Sequence, residues 1–280
     1  MTDVNKPKII LSFDLEYWHS SKFLEKYLSG NQADTPPLNT VLLEKILSRL
    51  GDSAGANATF FVLAELMDRF PDLLKAIKAV GHEIGLHGLN HTPINRLSPA
   101  EFENDLNKSK EIFLRVIGEE PKGFRAPNFS INQDNKWAWE ILEKNDFIYD
   151  SSYFAFSSDP TKPLPTKPYP PLTAGPFLEY PVSTFRQAGI NWPISGGFYF
   201  RLLPYRIFSY LLKRKAAKNE LIVLYFHLMD LDESIPDIKI PRWRKTLKYF
   251  GVKRGWDKFN RLLDDFSIES IEQYRMRHGH

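Results

Sequence analysis

A chain of 280 residues with 42% hydrophobic content can bury a sizeable core without help from disulfides or partners. Cysteine is absent, which excludes disulfides, thiolate metal ligands and cysteine nucleophiles together, so a metal would have to be held by His, Asp or Glu. A net charge of +3 gives no argument for nucleic acid.

The polar start Met1–Lys8 runs into a short apolar segment, Ile9–Phe13, with neither the apolar length nor the small-residue cleavage site of a secretory signal. No run approaches the roughly 20 apolar residues of a membrane span. The expectation is a soluble, cytoplasmic, single-domain chain over residues 1–280, with a basic, aromatic C-terminal extension around 235–280.

In chain order, the first predicted strand is Lys8–Tyr17. A helix follows over Pro37–Leu50, with Val41, Leu42, Ile46, Leu47 and Leu50 on one face and Gly51 as its stop. Strands are predicted at Ala58–Ala64 and Glu83–Gly88. Ser98-Pro99-Ala100-Glu101 then combines an N-cap, a first-turn proline and a capping-box glutamate ahead of Phe102, Leu106, Ile112, Phe113 and Val116. A strand at Gly123–Asn128, a helix through Trp137, Trp139, Ile141 and Leu142, and a strand at Phe147–Tyr153 come next. The proline-dense stretch Ser157–Pro176 can be neither helix nor central strand and reads as a long loop, either a functional one over the active site or a mobile one. Strands at Phe177–Thr184 and Glu220–Leu228 precede the basic, aromatic segment Arg242–Lys258 and a helix near Asp257–Phe266. Strand and helix signals that alternate in this way describe repeated β-α units.

Five features carry possible chemistry. Asp14-Leu15-Glu16 places two acids one residue apart at a strand end, where side chains of that spacing share a face. His87 and His91 have the i, i+4 spacing that, on a helical turn, brings both rings within reach of one cation. Arg125, at the next strand end, is suited to keep a neighbouring carboxylate ionised and oriented. Asp150 closes the fifth strand, and His227 ends the very apolar run Leu221–Phe226. Each alone is also an ordinary surface or packing residue. All five share the C-terminal ends of different strands, which is where parallel α/β barrels collect their active-site groups.

Longer strings add a resemblance. Asn57-Ala58-Thr59-Phe60-Phe61-Val62, Gly81-His82-Glu83-Ile84-Gly85-Leu86-His87 and Arg125-Ala126-Pro127-Asn128-Phe129-Ser130 resemble the polysaccharide deacetylase family, the group with the NodB-homology domain. Tyr180-Pro181-Val182-Ser183 and the run from Gly196 to Tyr205 are similar to a subgroup tied to exopolysaccharide and capsule gene clusters. The resemblance implies a distorted (β/α) barrel of about seven parallel strands. It also implies Asp14 as general base, a divalent metal such as Zn2+ on Glu16, His87 and His91, and Arg125 as the residue orienting Asp14. Asp150 would orient His227 as general acid, and the Asn128 backbone N–H would be the oxyanion donor. Leu15 between the first two acids, Ser151 after Asp150 and Leu228-Met229-Asp230 after His227 depart from the family pattern.

The function this implies is metal-dependent hydrolysis of an N-acyl, above all N-acetyl, group on an amino sugar within a polysaccharide, oligosaccharide or glycolipid precursor. Trp192, Phe198, Tyr199 and Tyr205 are candidate stacking surfaces for sugar rings. Competing readings are a deformylase or deacetylase of a lipid-linked sugar, docked at the inner membrane face through Arg242–Lys258, and a silent saccharide-binding barrel. A small-molecule ring-amide hydrolase is the third.

Overall fold

In the computed structural model, residues 6–20, 38–53, 55–156, 165–172, 175–234 and 240–280 are described. Among the described residues ten strands form: β1 Lys8–Leu15, β2 Thr59–Val62, β3 Glu83–Leu86, β4 Gly123–Phe124, β5 Tyr149–Asp150, β6 Leu178–Glu179, β7 Thr184–Gln187, β8 Ile190–Pro193, β9 Val223–His227 and β10 Ser267–Glu269. Each of the seven predicted spans contains one of them. The strands are shorter than the predicted spans.

Seven of these strands are arranged as a distorted parallel barrel. β1 through β6 lie side by side in sequence order, and β9 pairs with β1 from Ile10↔Val223 to Asp14↔His227. Between β6 and β9 the ring is joined by a single residue. The Ser183 N–H donates to the Val223 carbonyl at 3.0 Å, and the Ser183 hydroxyl accepts from the Val223 N–H at 2.9 Å. The described part of the proline-dense stretch fills this seam. Tyr169 bridges Glu179, and the Thr166 carbonyl accepts from the Leu221 N–H. This part therefore packs beside β6 and the approach to β9; residues 157–164 and 173–174 of the predicted loop lie outside the described residues.

The helices follow the periodicity that predicts them. Helix Pro99–Ile117 carries the complete capping box, with the Glu101 carboxylate accepting from the Ser98 N–H at 2.8 Å, and ends at left-handed Gly118. Phe102, Leu106 and Phe113 point into the core. The first helix starts later than predicted, at Thr40, capped by Asn39, and buries Leu43 in place of the predicted Val41, which is exposed. The predicted helices near 137 and 257 form as Trp137–Lys144 and Gly255–Asp265.

Sequence patterning did not reveal the antiparallel hairpin β7–β8 or the three-residue β10. The latter pairs with the N-terminal half of β1, Lys8↔Ser267 to Ile10↔Glu269. The last part of the expected extension is thus built into the sheet, and Phe259 of the preceding helix packs on Phe13. Helix Arg242–Tyr249, by contrast, has no buried residue. Among the described residues no helix is long and apolar enough to cross a membrane.

At the N-terminal ends of the strands a buried network locks the floor of the barrel. Glu83 accepts from Thr59 at 2.6 Å, from Tyr149 at 2.8 Å and from the Glu272 N–H at 3.0 Å. Burial holds its carboxyl above the usual range, with those hydrogen bonds opposing it. The Tyr149 ring reaches its place only because its register partner Gly123 has no side chain; a Cβ there would overlap the ring. Gly123→Ala should destabilise the fold by about 1–3 kcal/mol. Thermal unfolding should show Tm lowered by about 2 °C or more, and an unchanged Tm would contradict this packing.

Candidate active site

Sheet register brings the predicted residues together. Asp14 and His227 are direct partners across β1 and β9. Glu16 lies just past the end of β1. Leu86↔Phe124 places His87 beside Arg125, and Phe124↔Asp150 places Arg125 beside Ser151. Asp14, Glu16, His87 and His227 open, with His91 and Asn128, into one pocket of about 240 Å³ that has Phe129, Tyr225 and Met229 as its apolar wall.

Arg125 is fully buried beneath this pocket. Its guanidinium donates to Asp14 Oδ1 at 2.8 Å, to Ser12 Oγ at 2.7 Å, and to the carbonyl and hydroxyl of Ser151 at 2.9 and 2.8 Å. It also stacks over Phe61, 4.2 Å from the ring centroid. One oxygen of Asp14 is thereby fixed. The other, Oδ2, lies 4.0 Å from His227 Nε2.

Glu16, His87 and His91 have ligand atoms within 4.8 Å of one another. Donors that sit about 2 Å from a shared cation lie roughly 3–4 Å apart. His87 Nε2 is 3.8 Å from Glu16 Oε2, and His91 Nε2 is in direct contact with the same oxygen. His87 Nδ1 lies 2.8 Å from the Arg125 carbonyl, which can only accept, so that nitrogen carries the proton and Nε2 keeps its lone pair for the pocket. An acid and two imidazoles oriented in this way fit a divalent cation. Burial alone would raise the Glu16 carboxyl, but the charge of His227 and hydrogen bonds to His87 and His91 outweigh it and hold Glu16 well below the usual range.

The two imidazoles meet by a route other than the predicted helical turn. They lie on a loop after β3, where Gly88 and His91 are both left-handed, at φ 85° and 64°. A non-glycine residue in that region costs roughly 1–2 kcal/mol, which the surrounding structure must absorb. Asn128 is also left-handed, at φ 55°, in the turn Pro127–Phe129. Phe129, the next residue, is left-handed too and packs on Tyr225 at 4.6 Å.

One predicted pairing is corrected. Asp150 does not face His227: its oxygens accept from Trp139 Nε1 at 2.8 Å and Ser152 Oγ at 2.5 Å, and Ser152 in turn accepts from the Ala126 N–H. It braces the arginine loop from behind. The carboxylate at His227 Nδ1 is Asp230, at 3.3 Å, which also accepts from the His227 N–H at 2.9 Å and pairs with Arg201 at 3.1 Å. Desolvation would lower the His227 pKa, but Glu16, Asp230 and Asp14 together raise it to about 9.

Gly197 explains why a paired glycine precedes this part of the chain. A Cβ on Gly197 would overlap the Asp230 carboxylate, and one on Gly196 would come within 2.6 Å of the Tyr225 hydroxyl.

The aromatic candidates separate. Tyr205 is buried, with its hydroxyl donated to the Arg261 carbonyl and Asp265, so it ties helices together and offers no stacking face. Phe198 and Tyr199 are half-buried on helix Gly197–Leu202, and Tyr199 is near enough to help raise the Tyr225 hydroxyl. Trp192 stands exposed on β8, opposite Phe185.

Residues 2–146 match the polysaccharide deacetylase family, and residues 151–275 match a domain of unknown function, DUF3473. Two curated relatives are similar in part. A peptidoglycan deacetylase-like protein, FGM2, of Gibberella zeae is 33% identical over 52% of this chain and 43% of its own length. A peptidoglycan-N-acetylglucosamine deacetylase of Bacillus cereus is 37% identical over 44% and 48%. The chain thus matches less than half the length of either. A Mycobacterium smegmatis crystal structure, described as a polysaccharide deacetylase, shares the fold with a TM-score of 0.62 at 18% identity, over 99% of this chain and 92% of that one.

Because Asp230 supports the charged form of His227, Asp230→Asn should lower the His227 pKa. An NMR titration of the imidazole should show it losing its proton at lower pH than in the wild type; an unmoved midpoint would remove Asp230 from this role.

Proposed function

The chain belongs to the polysaccharide deacetylase family, and from that premise we propose that it hydrolyses an N-acyl, above all N-acetyl, group on an amino sugar. The observation that carries this reading is the geometry around Asp14: a buried carboxylate held by Arg125 next to an acid and two imidazoles. The substrate is a saccharide being assembled or modified, as polymer, oligosaccharide or glycolipid precursor. The named activity of the Bacillus cereus relative, a peptidoglycan-N-acetylglucosamine deacetylase, supports this substrate class.

Glu16, His87 and His91 would hold the cation, and an all-N/O donor set of this kind suits Zn2+. When bound, such a cation supplies Lewis acidity, the means of ionising water near neutral pH and of polarising an amide carbonyl. Asp14, with Oδ1 fixed by Arg125 and Oδ2 open to the pocket, takes the proton of the attacking water. The Asn128 backbone N–H, on the pocket wall, donates to the oxygen that gains charge at the tetrahedral stage, a contact worth roughly 3 kcal/mol in other hydrolases. His227, protonated at neutral pH because Glu16 and Asp230 outweigh its burial, delivers a proton to the departing amine. Without that proton an amine is a poor leaving group.

His87→Ala should abolish stoichiometric metal in elemental analysis. Asp14→Asn should keep the metal and lose about 10²–10⁴ of the rate of acetate release from chitooligosaccharides. A metal-free wild type with no release would instead favour a silent saccharide-binding barrel, and an Asp14→Asn enzyme with full activity would sink the base assignment.

One observation favours a membrane-surface location. Trp243, Leu247 and Phe250 are exposed along one stripe of the basic segment, beside Arg242, Arg244 and Lys245. On this reading the substrate is lipid-linked and the stripe rests on anionic lipid. Flotation with phosphatidylserine vesicles at low salt should carry the protein upward, and Trp243→Ser should weaken it; no association removes the idea.

A further inference from the structure

Helix Arg242–Tyr249 buries none of its residues, yet one of its side chains turns back toward the pocket. Lys248 Nζ lies 3.5 Å from Met229 Sδ, and Met229 lines the pocket with Asp14, Glu16 and His227. Its backbone is fixed from the same direction. Arg201 Nη1 donates to the carbonyls of Lys248 and Phe250 at 2.9 and 2.8 Å, while Nη2 holds Asp230, the carboxylate that faces His227. The guanidinium that steadies Asp230 thus also sets where Lys248 stands.

The Lys248 ammonium lacks the partner that such a position calls for. Among the described residues no carboxylate lies within 4.0 Å of it, and its contacts are a thioether and, at 6.0 Å, the ring of Tyr249. Other partly buried lysines here are satisfied: Lys215 pairs with Glu220 at 2.8 Å, and Lys258 donates to three carbonyls. A thioether is a weak acceptor, whereas an ammonium has three donors to place. Desolvation lowers the Lys248 pKa to about 8 against the pull of Asp230 and Glu16, so the group remains largely cationic at neutral pH. Helix Arg242–Tyr249 itself carries no acid.

A cation with no carboxylate within 4.0 Å among the described residues, touching a residue that lines the pocket, is suited to an anion that arrives with the ligand. We propose that Lys248 is a specificity-determining residue at the pocket rim, and that the saccharide it selects carries an anionic group, a carboxylate or a phosphate, next to the N-acylated sugar. The inference rests on the saccharide reading of the site given above and names the substrate class within it.

The test compares equilibrium binding and acetate release for three probes at low salt: neutral chitotetraose, a hyaluronan tetrasaccharide with carboxylates, and UDP-N-acetylglucosamine with phosphates. Wild-type protein should bind one acidic probe about tenfold tighter than chitotetraose, and the preferred probe identifies carboxylate or phosphate. Lys248→Met, which keeps an unbranched side chain without the charge, should reduce that acidic-to-neutral ratio about tenfold, and Lys248→Arg should restore most of it. A general structural role would weaken all three probes alike. Equal wild-type affinity for the three, no binding of any, or a ratio unchanged in Lys248→Met overturns the proposal. Charge-selective, Lys248-dependent binding without acetate release would overturn the deacetylase reading and leave the anion subsite standing. Acetate release without charge selectivity would do the reverse.

Discussion

The ion pair between Arg125 and Asp14 is the constraint on which the rest of the site depends. A guanidinium with no exposed surface cannot be left without partners, and breaking a buried pair by removing one member typically costs about 3–5 kcal/mol. Arg125 meets that demand with Asp14, Ser12 and Ser151, drawn from β1 and from the end of β5, so the pair fixes the strands relative to one another as well as the carboxylate. The same residue's carbonyl accepts from His87 and sets which imidazole nitrogen faces the pocket. One position therefore orients the proposed base through its side chain and a candidate metal ligand through its backbone.

Behind it stands a buried polar layer whose purpose is positional. Asp150 holds Ser152, Ser152 holds the Ala126 N–H, and Ala126 begins the turn that makes Asn128 left-handed. Glu179 beside it is pushed well above the usual range by burial and then by the charge of Asp150. The rigidity of the arginine loop is thus set two contacts away from the pocket, where its supporting groups are shielded from water.

How much of this was legible in the sequence follows from which interactions are local. Strand ends are marked by the change from apolar runs to single polar residues, so Asp14, Glu16, His87, Arg125 and His227 could be assigned to one rim of a barrel before any coordinates. Where a side chain at such an end points is set by its neighbours in space, and there the reading fell short. Asp150 sits at the right address but is turned away by Trp139. Asp230 was visible only as a departure from a family pattern, although an acid three residues past a histidine is the spacing of the tight turn that unites them. The histidine pair meets through left-handed backbone at Gly88 and His91, which an i, i+4 count cannot distinguish from a helix. The hairpin β7–β8 had a signal, Ala188-Gly189 between alternating residues, both with positive φ in the turn. β10, at three residues, is too short for any periodicity.

The two family matches divide the candidate site between them. Asp14, Glu16, His87, His91, Arg125 and Asn128 all fall within residues 2–146, whereas His227, Asp230, Arg201 and Lys248 fall within 151–275, the stretch matching a domain of unknown function. Nothing in the sheet marks that boundary, since β9 and β10 both pair with β1. In the proposed reaction the first stretch would ionise water and hold the oxyanion, and the second would protonate the leaving amine and face the remainder of the substrate. Changes in the second stretch could then alter which saccharide is accepted while the base and the cation ligands stay fixed. The Gly196-Gly197 pair is the physical condition for that arrangement: helix Gly197–Leu202 can approach β9 and Asp230 only where no Cβ intervenes, and on that close approach the position of Arg201, and through it both Asp230 and Lys248, depends.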